Sequence, residues 1–581
     1  MRAGLPWELQ PVDEAAVAAL SHGLGCSLLL SRLVWLRGHR DLESAQAFLR
    51  PNLATLRDPY QMRDAEVGAA RLARAVMASE HVCIYGDYDV DGVTAAALLA
   101  SFLHAVGCRP RVFLPDRFKD GYGLQVDRID ALCDAGVALF VSVDCGSTAC
   151  EAVARARHRG RDFIIVDHHQ LGLEEPAATA HLNPRRPGCG FGDEPLSAVG
   201  VAMVLAQATR RALLAAGHLG RASGPQLGDL LELTALGTIA DMVPLRGMNR
   251  VVTWHGLRRL GQSRRPGVQA LAKRTKLSSR AVSSEAVGFL LAPRINAAGR
   301  VSDAGLAYEL LMTEDLARAG DLADQIEVEN ARRQALQREV VSAAALAAES
   351  SPGREHAVVV AGDGWHAGVL GIVAGRIKDA LHVPTFVLGV EGDVVRGSGR
   401  SPTGYDLVEG LRAIDDGLLL RYGGHAHAAG VTLATGQLDR FRAALAAHVA
   451  ATWPPEARTR PLRLDALLDV ATLDMALLDE LDQLEPCGRD NPRPQFLLPG
   501  VVLAHSSRVG EGGAWVRARF VEDCDRPMWA RHGVDAFASA DVLGDLRPGD
   551  RVDVATHLER NVWNERVTLQ ASVAAVRAAE A

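Results

Sequence analysis

Apolar residues along the chain follow two spacings, and each spacing predicts a different kind of element. In residues 1–75, apolar clusters such as 28–30 and 34–36 lie between polar breaks, which is typical of helices. From about residue 80, short apolar runs alternate with stretches of helical spacing; the runs lie at 81–86, 111–114, 138–144 and 162–167, and the helices at about 93–106, 124–136 and from 147 onward. Strands that alternate with helices of roughly 12 residues predict βαβ units and a parallel sheet.

The remaining pattern divides the chain into further regions. Residues 195–245 are mostly helical, and 305–349 contain almost no Gly or Pro, which predicts one long interdomain helix. A strand at 356–360 opens a second α/β region, and short strands with Gly-rich turns beyond 495 predict a small OB-type β-barrel. We therefore expect a helical leader, a parallel-sheet α/β domain, a helical connector, a smaller α/β domain and a barrel domain, at 1–75, 76–245, 246–350, 351–452 and 453–581.

Composition indicates a soluble multidomain protein. The 581 residues are 48% hydrophobic and 23% charged, which excludes disordered and collagen-like chains. The nine cysteines include no C-x-x-C pair, no apolar run approaches the ~18 residues of a membrane span, and the first residues lack a secretory apolar segment. We expect a cytoplasmic protein without membrane contact, whose net charge of −7 gives no overall indication of a nucleic-acid partner.

Three carboxylates crowd one short segment that follows the first strand. Asp87, Asp89 and Asp91 lie in GDYDVDG, and carboxylates this close oppose one another's ionisation unless cations neutralise them. Oxygen ligands at this density suit Mg²⁺ or Mn²⁺. Taken alone, the segment could also be a solvated Asp/Gly turn, although a metal site is favoured.

Further acidic and imidazole side chains follow the other strands of the same sheet. Asp144 ends the run at 138–144, and Asp167, His168 and His169 follow the run at 162–167. Ligands of open α/β sheets gather at this edge. Asp241, in the apolar context TIADMVPL, is a further candidate because a carboxylate among apolar residues usually has a partner. The set predicts two divalent ions and metal-assisted hydrolysis of phosphate esters.

The order of these motifs resembles a known family. GDYDVDG, VDCG, VDHH and GTIADMVPL resemble the four motifs of the DHH phosphoesterase superfamily. Downstream, PRINAAGR, GWHAGVLGIVAGRI, GSGRS and GGHAHAAG resemble the longer signature of the RecJ family of single-strand-specific 5′→3′ DNA exonucleases. The resemblance implies a DHH catalytic domain, a DHHA1-type second domain and a nucleic-acid-binding OB fold. It also implies release of 5′-mononucleotides in DNA recombination and repair.

The resemblance assigns metal ligands by position. Asp89 and Asp91 would each contribute to a different ion, and Asp144 would bridge the pair. His168 and Asp241 would complete the shell of the second ion. The implied cofactors are two divalent ions, Mn²⁺ or Mg²⁺.

Four more residues take implied roles around the metals. Asp87 would lie beside the ions as an additional ligand or water-orienting group, and His169 would face the scissile phosphate. Asp167 would orient the histidines, although a carboxylate that caps the next turn explains it nearly as well. His425 in GGHAHAAG would contact the phosphate from the second domain, where a structural histidine is the alternative.

Positively charged segments would hold the 5′-terminal phosphate. Gly lets backbone N–H groups approach an oxyanion, and Arg forks match phosphate geometry. The implied contacts are Arg117, Arg294, Arg300, Arg396, Ser398 and Arg400. Without the family resemblance, GSG with arginines would be read as an ordinary exposed turn, and Arg117 as a surface ion pair.

The barrel region carries candidate stacking residues and one departure from the family. Trp515, Trp529, Phe537 and Trp563 could stack bases, although at least half of them are expected to fill the barrel core. RecJ-like chains usually show Phe-Gly and Gly-Asn-Pro in the segment PCGRDNPRPQF. Here Cys487 and Asp490 replace the Phe and the first of those glycines, which leaves the local turn geometry open.

Two other functions compete with the exonuclease. A phosphodiesterase for short or cyclic nucleotides, or a pyrophosphatase, would resemble only the two α/β domains, whereas the long helix and the barrel favour a polymer. A non-catalytic relative would have lost its metal residues, which are intact here. The partners implied are single-stranded DNA with a 5′ end, a single-stranded-DNA-binding protein and a RecQ-type helicase, and we expect a monomer.

Overall fold

The N-terminal region is helical apart from one short strand. The computed structural model describes residues 6–579, except 118, 122, 193–194, 221–223, 278–281, 459–460, 525, 528–529 and 564–565. The elements are β1 (Trp7–Leu9), α1 (Glu14–Leu24), α2 (Leu28–Leu36), α3 (Leu42–Leu49) and α4 (Ala65–Met77). The side chains of Asp13, Ser27 and Asp41 accept hydrogen bonds from the first backbone N–H groups of α1, α2 and α3, as helix caps do.

The first α/β domain is a parallel sheet, as predicted. Its elements are β2 (Val82–Tyr85), α5 (Val90–Ala105), β3 (Arg111–Phe113), α6 (Val126–Asp134), β4 (Leu139–Val143), α7 (Cys150–His158), β5 (Asp162–Val166), β6 (Ala180–Leu182), α8 (Ala198–Ala215) and α9 (Leu231–Ala240). The five strands pair in the order β3-β2-β4-β5-β6, all in parallel. The chain therefore reverses its direction of progress across the sheet at β2, and such switch points bind ligands at the carboxyl ends of the strands.

Helices cover both faces of this sheet. Ile84 packs into a core with α5 and α8, whereas Cys83 and Tyr85 pack into a second core with α6 and α7. Helix α8 is long and apolar enough to pass a test for a membrane span, but 67% of its apolar window is buried inside the protein. A core helix of a globular domain has these properties.

The connector contains a break that the sequence pattern did not predict. Its helices are α10 (Gly247–Leu260), α11 (Pro266–Arg274), α12 (Ser284–Ala286), α13 (Ala292–Val301), α14 (Gly305–Met312) and α15 (Leu316–Glu349), with a π-helical turn over Val287–Leu291. The prediction of one helix over 305–349 is wrong at its start. The Asp315 side chain accepts hydrogen bonds from the N–H groups of Ala317 and Arg318, which begins a new helix at Leu316.

The second α/β domain has a mixed sheet. Its elements are β7 (Val358–Asp363), α16 (Ala367–Leu381), β8 (Thr385–Glu391), β9 (Val394–Arg400), α17 (Leu407–Ile414), β10 (Arg421–His425), β11 (Ala428–Ala434) and α18 (Leu438–Thr452). The strand order is β10-β11-β9-β8-β7, so β9 lies in the centre of the sheet, antiparallel to both of its neighbours.

The C-terminal domain is a β-barrel, and the N-terminal helices pack against it. It contains β12 (Leu462–Leu464), β13 (Ala466–Leu467), α19 (Met475–Leu481), β14 (Phe496–Val509), β15 (Trp515–Val521), β16 (Gly533–Ser539), α20 (Ala540–Leu543), β17 (Arg551–Trp563) and β18 (Arg566–Ala578). Pairing of β14 with both β15 and β17 closes the barrel. Strand β1 pairs in parallel with β12, and Leu30, Leu33 and Phe48 share a core with Phe496. Helices α1, α2 and α3 of the leader are thus part of the barrel's core, a contact that periodicity does not predict, whereas α4 packs into the core of the first α/β domain.

One buried arginine joins three parts of the chain. Arg250 on α10 is 3% exposed, and its guanidinium donates hydrogen bonds to the carbonyls of Phe48 (2.8 Å), Leu484 (3.1 Å) and Glu485 (3.0 Å). The guanidinium carbon also lies 3.6 Å from the centre of the Phe48 ring. Burial lowers the pKa of Arg250 to about 10, so the side chain remains charged at neutral pH. Arg250 fastens the leader and the 483–486 turn to the connector.

Replacement of Arg250 by Met should therefore destabilise the protein. The substitution leaves several buried carbonyls without donors, and we expect a loss of about 3 kcal/mol in the free energy of unfolding. Urea denaturation followed by circular dichroism measures this loss. Arg259→Met on the same helix is the control, because Arg259 is 55% exposed and its ion pair with Asp229 contributes less than about 1 kcal/mol. Equal effects of the two substitutions would contradict the assignment.

Candidate metal centre and phosphate-binding cleft

The predicted carboxylates lie together at the switch point of the first sheet. Asp87 follows β2, Asp144 follows β4 and Asp167 follows β5. Helix α5 begins earlier than predicted, at Val90, so that the side chain of Asp89 caps the helix and Asp91 lies in its first turn. The motif therefore places its last two carboxylates at a helix N-terminus, where the backbone dipoles stabilise negative charge.

Gly92 is required by the tightness of this turn. A Cβ atom at Gly92 would lie 2.7 Å from the backbone nitrogen and oxygen of Asp87, a separation that real side chains do not adopt. The glycine thus lets the start of α5 fold back onto the end of β2.

Potential ligand atoms form two groups that share a boundary. His168 Nε2 lies 3.3 Å from an oxygen of Asp144, 3.8 Å from Asp91 and 3.7 Å from Asp241. Within each group the ligand atoms all lie within 4.8 Å of one another; the groups are Asp87, Asp89 and Asp144, and Asp91, His168 and Asp241. Asp144 faces both groups, since it also lies in a third group with His168 and His169.

Burial of these carboxylates against one another is unfavourable. Burial and the charge of Asp89 raise the pKa of Asp87 to about 8 and that of Asp91 to about 7. Burial and the charge of Asp89 also raise the pKa of Asp144 well above its usual value. Burial and the charge of Asp91 do the same for the pKa of Asp241. Such shifts are expected when like charges share a buried site without a neutralising cation.

Three buried polar atoms indicate where cations fit. Asp87 Oδ1, Asp144 Oδ1 and His168 Nε2 have no hydrogen-bond partner among the described residues. Burial lowers the pKa of His168 to about 4, so the ring is a neutral imidazole that can ligate a metal. Carboxylate oxygens with one imidazole fit two divalent cations such as Mn²⁺ or Mg²⁺.

Helix α8 fixes one of these carboxylates. The N–H groups of Ala198 and Val199, at the start of α8, donate to the two oxygens of Asp91 at 2.6 and 2.9 Å. The helix N-terminus therefore orients Asp91 and offsets part of its charge.

The contacts of Asp167 fit both roles that the sequence left open, orientation of the histidines and capping of the turn that follows β5. Its Oδ1 accepts from the backbone N–H of His168 (2.7 Å) and pairs with Nδ1 of His169 (2.8 Å), while Oδ2 accepts from Ser147 N (2.9 Å). Although burial opposes ionisation, the bond with His169 holds the pKa of Asp167 well below its usual range. Although burial disfavours its charge, the same bond raises the pKa of His169 to about 9. His169 is therefore a protonated ring held at the edge of the site.

Several residues that sequence reasoning missed hold these motifs in place. Asn183 Nδ2 donates to the carbonyl of His169 at 2.9 Å, and Arg185 Nε donates to that of His168 at 2.7 Å. Both follow β6 in the segment HLNPRR. Their position directly after a strand of the sheet is the sequence feature that could have indicated a role at this edge.

The PRINAAGR segment supports the acidic turn. It forms helix α13, from which Asn296 Oδ1 accepts the N–H of Val90 at 3.1 Å. A Cβ atom at Gly299 would lie 2.3 Å from the carbonyl oxygen of Tyr88, so glycine is needed where α13 meets the turn. Arg294, predicted to hold phosphate, instead forms an ion pair with Glu327 and donates to a carbonyl within the connector.

Arginines from three regions meet beside the acidic groups. Burial and the charge of Arg117 lower the pKa of Arg300, to about 10, and of Arg400. Arg117 itself lies 5.2 Å from the centre of the Tyr88 ring, in the acidic turn. Cations that repel one another at a buried position are stabilised when an anion binds, so the cluster is a candidate phosphate site.

The GSG segment lies in a strand, which excludes the alternative of an ordinary exposed turn. Gly397 and Gly399 lie in β9, whose backbone pairs with β8 and β11, so their N–H groups are committed to the sheet. The glycines allow close packing, since a Cβ at Gly399 would lie 2.4 Å from the Phe386 ring. Side chains at alternate positions then bring Arg396, Ser398 and Arg400 to one face of β9, with Arg396 exposed.

His425 ends β10. Partial burial and the charges of His427, Arg400 and His169 lower its pKa, so the ring is within electrostatic reach of both the arginine cluster and the metal-binding groups. On the barrel, the rings of Trp515 and Phe537 stack at 5.1 Å and 12°, and Trp515 is 46% exposed. Trp529 and the side chain of Trp563 lie outside the described residues.

Metal binding should stabilise the protein more at pH 8 than at pH 6. The raised pKa values of Asp87 and Asp91 mean that the metal-free fold holds protons that the unfolded chain releases near pH 4, so its stability falls as pH rises towards 8. A bound cation replaces those protons and removes the penalty. Thermal unfolding with and without MnCl₂ measures the effect.

A matched pair of variants completes this experiment. Asp144→Asn should lose most of the metal-induced increase in Tm. Asp134→Asn should keep it, because Asp134 is 70% exposed at the opposite edge of the sheet. An increase that does not depend on pH, or that survives in Asp144→Asn, would contradict the metal assignment.

Gly299→Ala should displace the acidic turn and weaken Mn²⁺ binding. The added methyl overlaps the Tyr88 carbonyl, and we expect a loss of about 2 kcal/mol in stability together with reduced affinity in isothermal titration calorimetry. Gly320→Ala is the control, since this helical glycine on α15 has open space around it and the change should stabilise the fold by about 0.5 kcal/mol. Unchanged Mn²⁺ affinity in Gly299→Ala would show that α13 does not position the turn.

Comparison with known proteins agrees with the motifs. Three family models match the chain: the DHH family N-terminal domain over 81–238, the DHHA1 domain over 355–451 and the RecJ OB domain over 464–575.

Full-length relatives and solved structures give the same result. The chain is 34% identical to the single-stranded-DNA-specific exonuclease RecJ of Bacillus subtilis, over 96% of this chain and 69% of that protein. It is 34% identical to the RecJ of Thermus thermophilus, over 94% of this chain and 75% of the relative. The crystal structure of Thermus thermophilus RecJ with Mn²⁺ superposes with a TM-score of 0.83 at 31% identity, over the whole of this chain and 81% of that one. The corresponding Mg²⁺ complex gives a TM-score of 0.77 at 29% identity, over 80% of its chain. On its domains, its sequence and its fold, the chain belongs to the RecJ family of the DHH phosphoesterase superfamily.

Proposed function

We propose that the chain is a metal-dependent exonuclease that hydrolyses single-stranded DNA from its 5′ end and releases 5′-mononucleotides. The observation that carries the proposal is the arginine cluster of Arg117, Arg300 and Arg400 directly beside two acidic metal-binding groups. The acidic groups suit phosphodiester hydrolysis, and the arginines suit a phosphate that is held without being cleaved. The names of the RecJ relatives, which are single-stranded-DNA-specific exonucleases, support this substrate.

The acidic groups would hold the two divalent ions. One group would use Asp87, Asp89 and Asp144, the other Asp91, His168 and Asp241, with Asp144 facing both. When bound, such a pair supplies a water-derived nucleophile at neutral pH and stabilises the charge that develops on the phosphate oxygens. The protein itself supplies the dry, fixed set of ligands.

The remaining residues bind and protonate the substrate. His169, held protonated by Asp167, is placed to donate a hydrogen bond or a proton to the phosphate at the site. Arg300, Arg400 and Ser398 would bind the 5′-terminal phosphate, with Arg117 at the junction of this pocket and the acidic turn. One nucleotide would then lie between the anchored phosphate and the scissile bond.

The barrel would guide the strand behind the reacting end. The exposed Trp515, stacked on the half-buried Phe537, gives bases a platform that any sequence can use. A small dinucleotide or pyrophosphate would not need this surface, which favours a polymeric substrate. A role in recombination and repair and contacts with a single-stranded-DNA-binding protein or a RecQ-type helicase remain predictions from the family resemblance. A cytoplasmic location, expected from the composition, and a monomeric state also remain predictions.

The polarity of degradation tests the proposal directly. Purified protein with Mn²⁺ should release label from the 5′ end of single-stranded DNA before label from the 3′ end. Asp144→Asn should lower the rate by at least ~100-fold while leaving DNA binding largely intact, because it removes a ligand and not a phosphate contact. Asp134→Asn is the matched control and should retain full activity. Earlier loss of the 3′ label would overturn the polarity, and an active Asp144→Asn would overturn the role of that residue.

A further inference from the structure

A turn of the C-terminal domain lies against the segment that follows Asp241. The backbone N–H of Leu245 donates to the carbonyl of Arg489 at 2.9 Å. Gly488 makes room for the Leu245 side chain, since a Cβ at Gly488 would lie 2.7 Å from Leu245 Cδ1. Because Leu245 is four residues beyond Asp241, the contact brings the 485–491 turn to the rim of the metal-binding groups.

The conformation of this turn is well defined. Asn491 is buried, and its Nδ2 donates to the carbonyls of Leu484 (2.8 Å) and Pro486 (2.7 Å). Asp490 has a φ of 61°, the left-handed region that favours glycine and that Asp tolerates, which explains how it replaces a glycine of the family pattern. Arg250 binds carbonyls at the start of the same turn. The backbone that carries Arg489 is therefore fixed from both sides.

The side chain of Arg489 differs from the neighbouring arginines. Arg246 lies 3.9 Å from Asp490, and Arg493 forms an ion pair with Glu285. Arg489 is exposed, and in the part of the chain that the structure describes no carboxylate forms an ion pair with it.

The charge of Arg489 acts towards the cleft. Burial and Asp91 raise the pKa of Asp241, and the charge of Arg489 opposes part of that rise. Partial burial and the charge of His427 lower the pKa of His425, and Arg489 contributes in the same direction from the other wall. The guanidinium is thus within electrostatic reach of both walls, and its exposure leaves its donors accessible to a ligand.

We propose that Arg489 is a substrate-binding residue that contacts the phosphate of the nucleic-acid strand lying between Asp241 and His425. An Arg fork can donate two hydrogen bonds to a phosphate, and a cation at this point offsets the acidic wall as the strand enters. The C-terminal domain then contributes directly to the active site, in addition to guiding the strand. This inference rests on the proposed nuclease function and extends it.

Substitution of Arg489 tests the inference with a short 5′-phosphorylated oligothymidylate and Mn²⁺. Arg489→Gln should lower kcat/KM by about 10- to 100-fold, the effect of losing one charge-assisted hydrogen bond to phosphate. Arg489→Lys should restore part of the loss, because it keeps the charge without the fork. The slope of log binding constant against log salt should fall by about 0.7 in Arg489→Gln, as expected for one lost phosphate contact.

The control removes the same charge elsewhere. Arg74 on α4 is 64% exposed and lies near Asp162, at the start of β5 and hence at the opposite edge of the sheet, so Arg74→Gln should match the wild type. Thermal unfolding should be unchanged in all three variants, and Mn²⁺ affinity should not fall in any of them. An unchanged kcat/KM and salt slope in Arg489→Gln, with an active wild type, would overturn the inference about Arg489 alone. A wild type that leaves the oligonucleotide intact would overturn the proposed function, and this inference with it.

Discussion

The mutual repulsion of buried carboxylates is the constraint on which the first α/β domain depends. Asp87, Asp91, Asp144 and Asp241 are brought together at one edge of a parallel sheet, where burial and like charge both disfavour ionisation. The fold offsets only part of this cost, for example through the α8 N-terminus that binds Asp91. The rest requires cations. A site that destabilises the fold without metal and not with it links stability directly to the state in which the enzyme can act.

The cleft requires that separate parts of the chain keep fixed positions relative to one another. Arginines of the first and second α/β domains meet over the acidic turn, and the C-terminal turn bearing Arg489 reaches the opposite rim. Arg250, on the connector, joins the leader and that turn through hydrogen bonds to carbonyls and a contact with the Phe48 ring. Carbonyl acceptors hold a buried guanidinium without adding further negative charge near the acidic site. The interdomain contacts are therefore part of the catalytic arrangement.

Sequence reasoning succeeded where local pattern determines structure. Strands buried on both faces read as continuous apolar runs, and a carboxylate directly after such a run, such as Asp144, falls at the ligand-binding edge whatever the later packing. It failed where tertiary contacts decide. Without the family resemblance, Gly397 and Gly399 would indicate a turn, but glycine is needed at Gly397 for the close approach of the Val387 carbonyl and at Gly399 for the Phe386 ring. The packing of the leader on the barrel and the approach of Arg489 to Asp241 join residues hundreds of positions apart, for which periodicity carries no signal.

Anomalous diffraction from crystals grown with MnCl₂ tests whether the acidic groups bind two divalent ions, because it locates manganese without reference to activity. We expect two anomalous peaks in each molecule. One should be enclosed by Asp87, Asp89 and Asp144, and the other should be contacted by His168 and Asp241. A single peak, or peaks away from these side chains, would contradict the account.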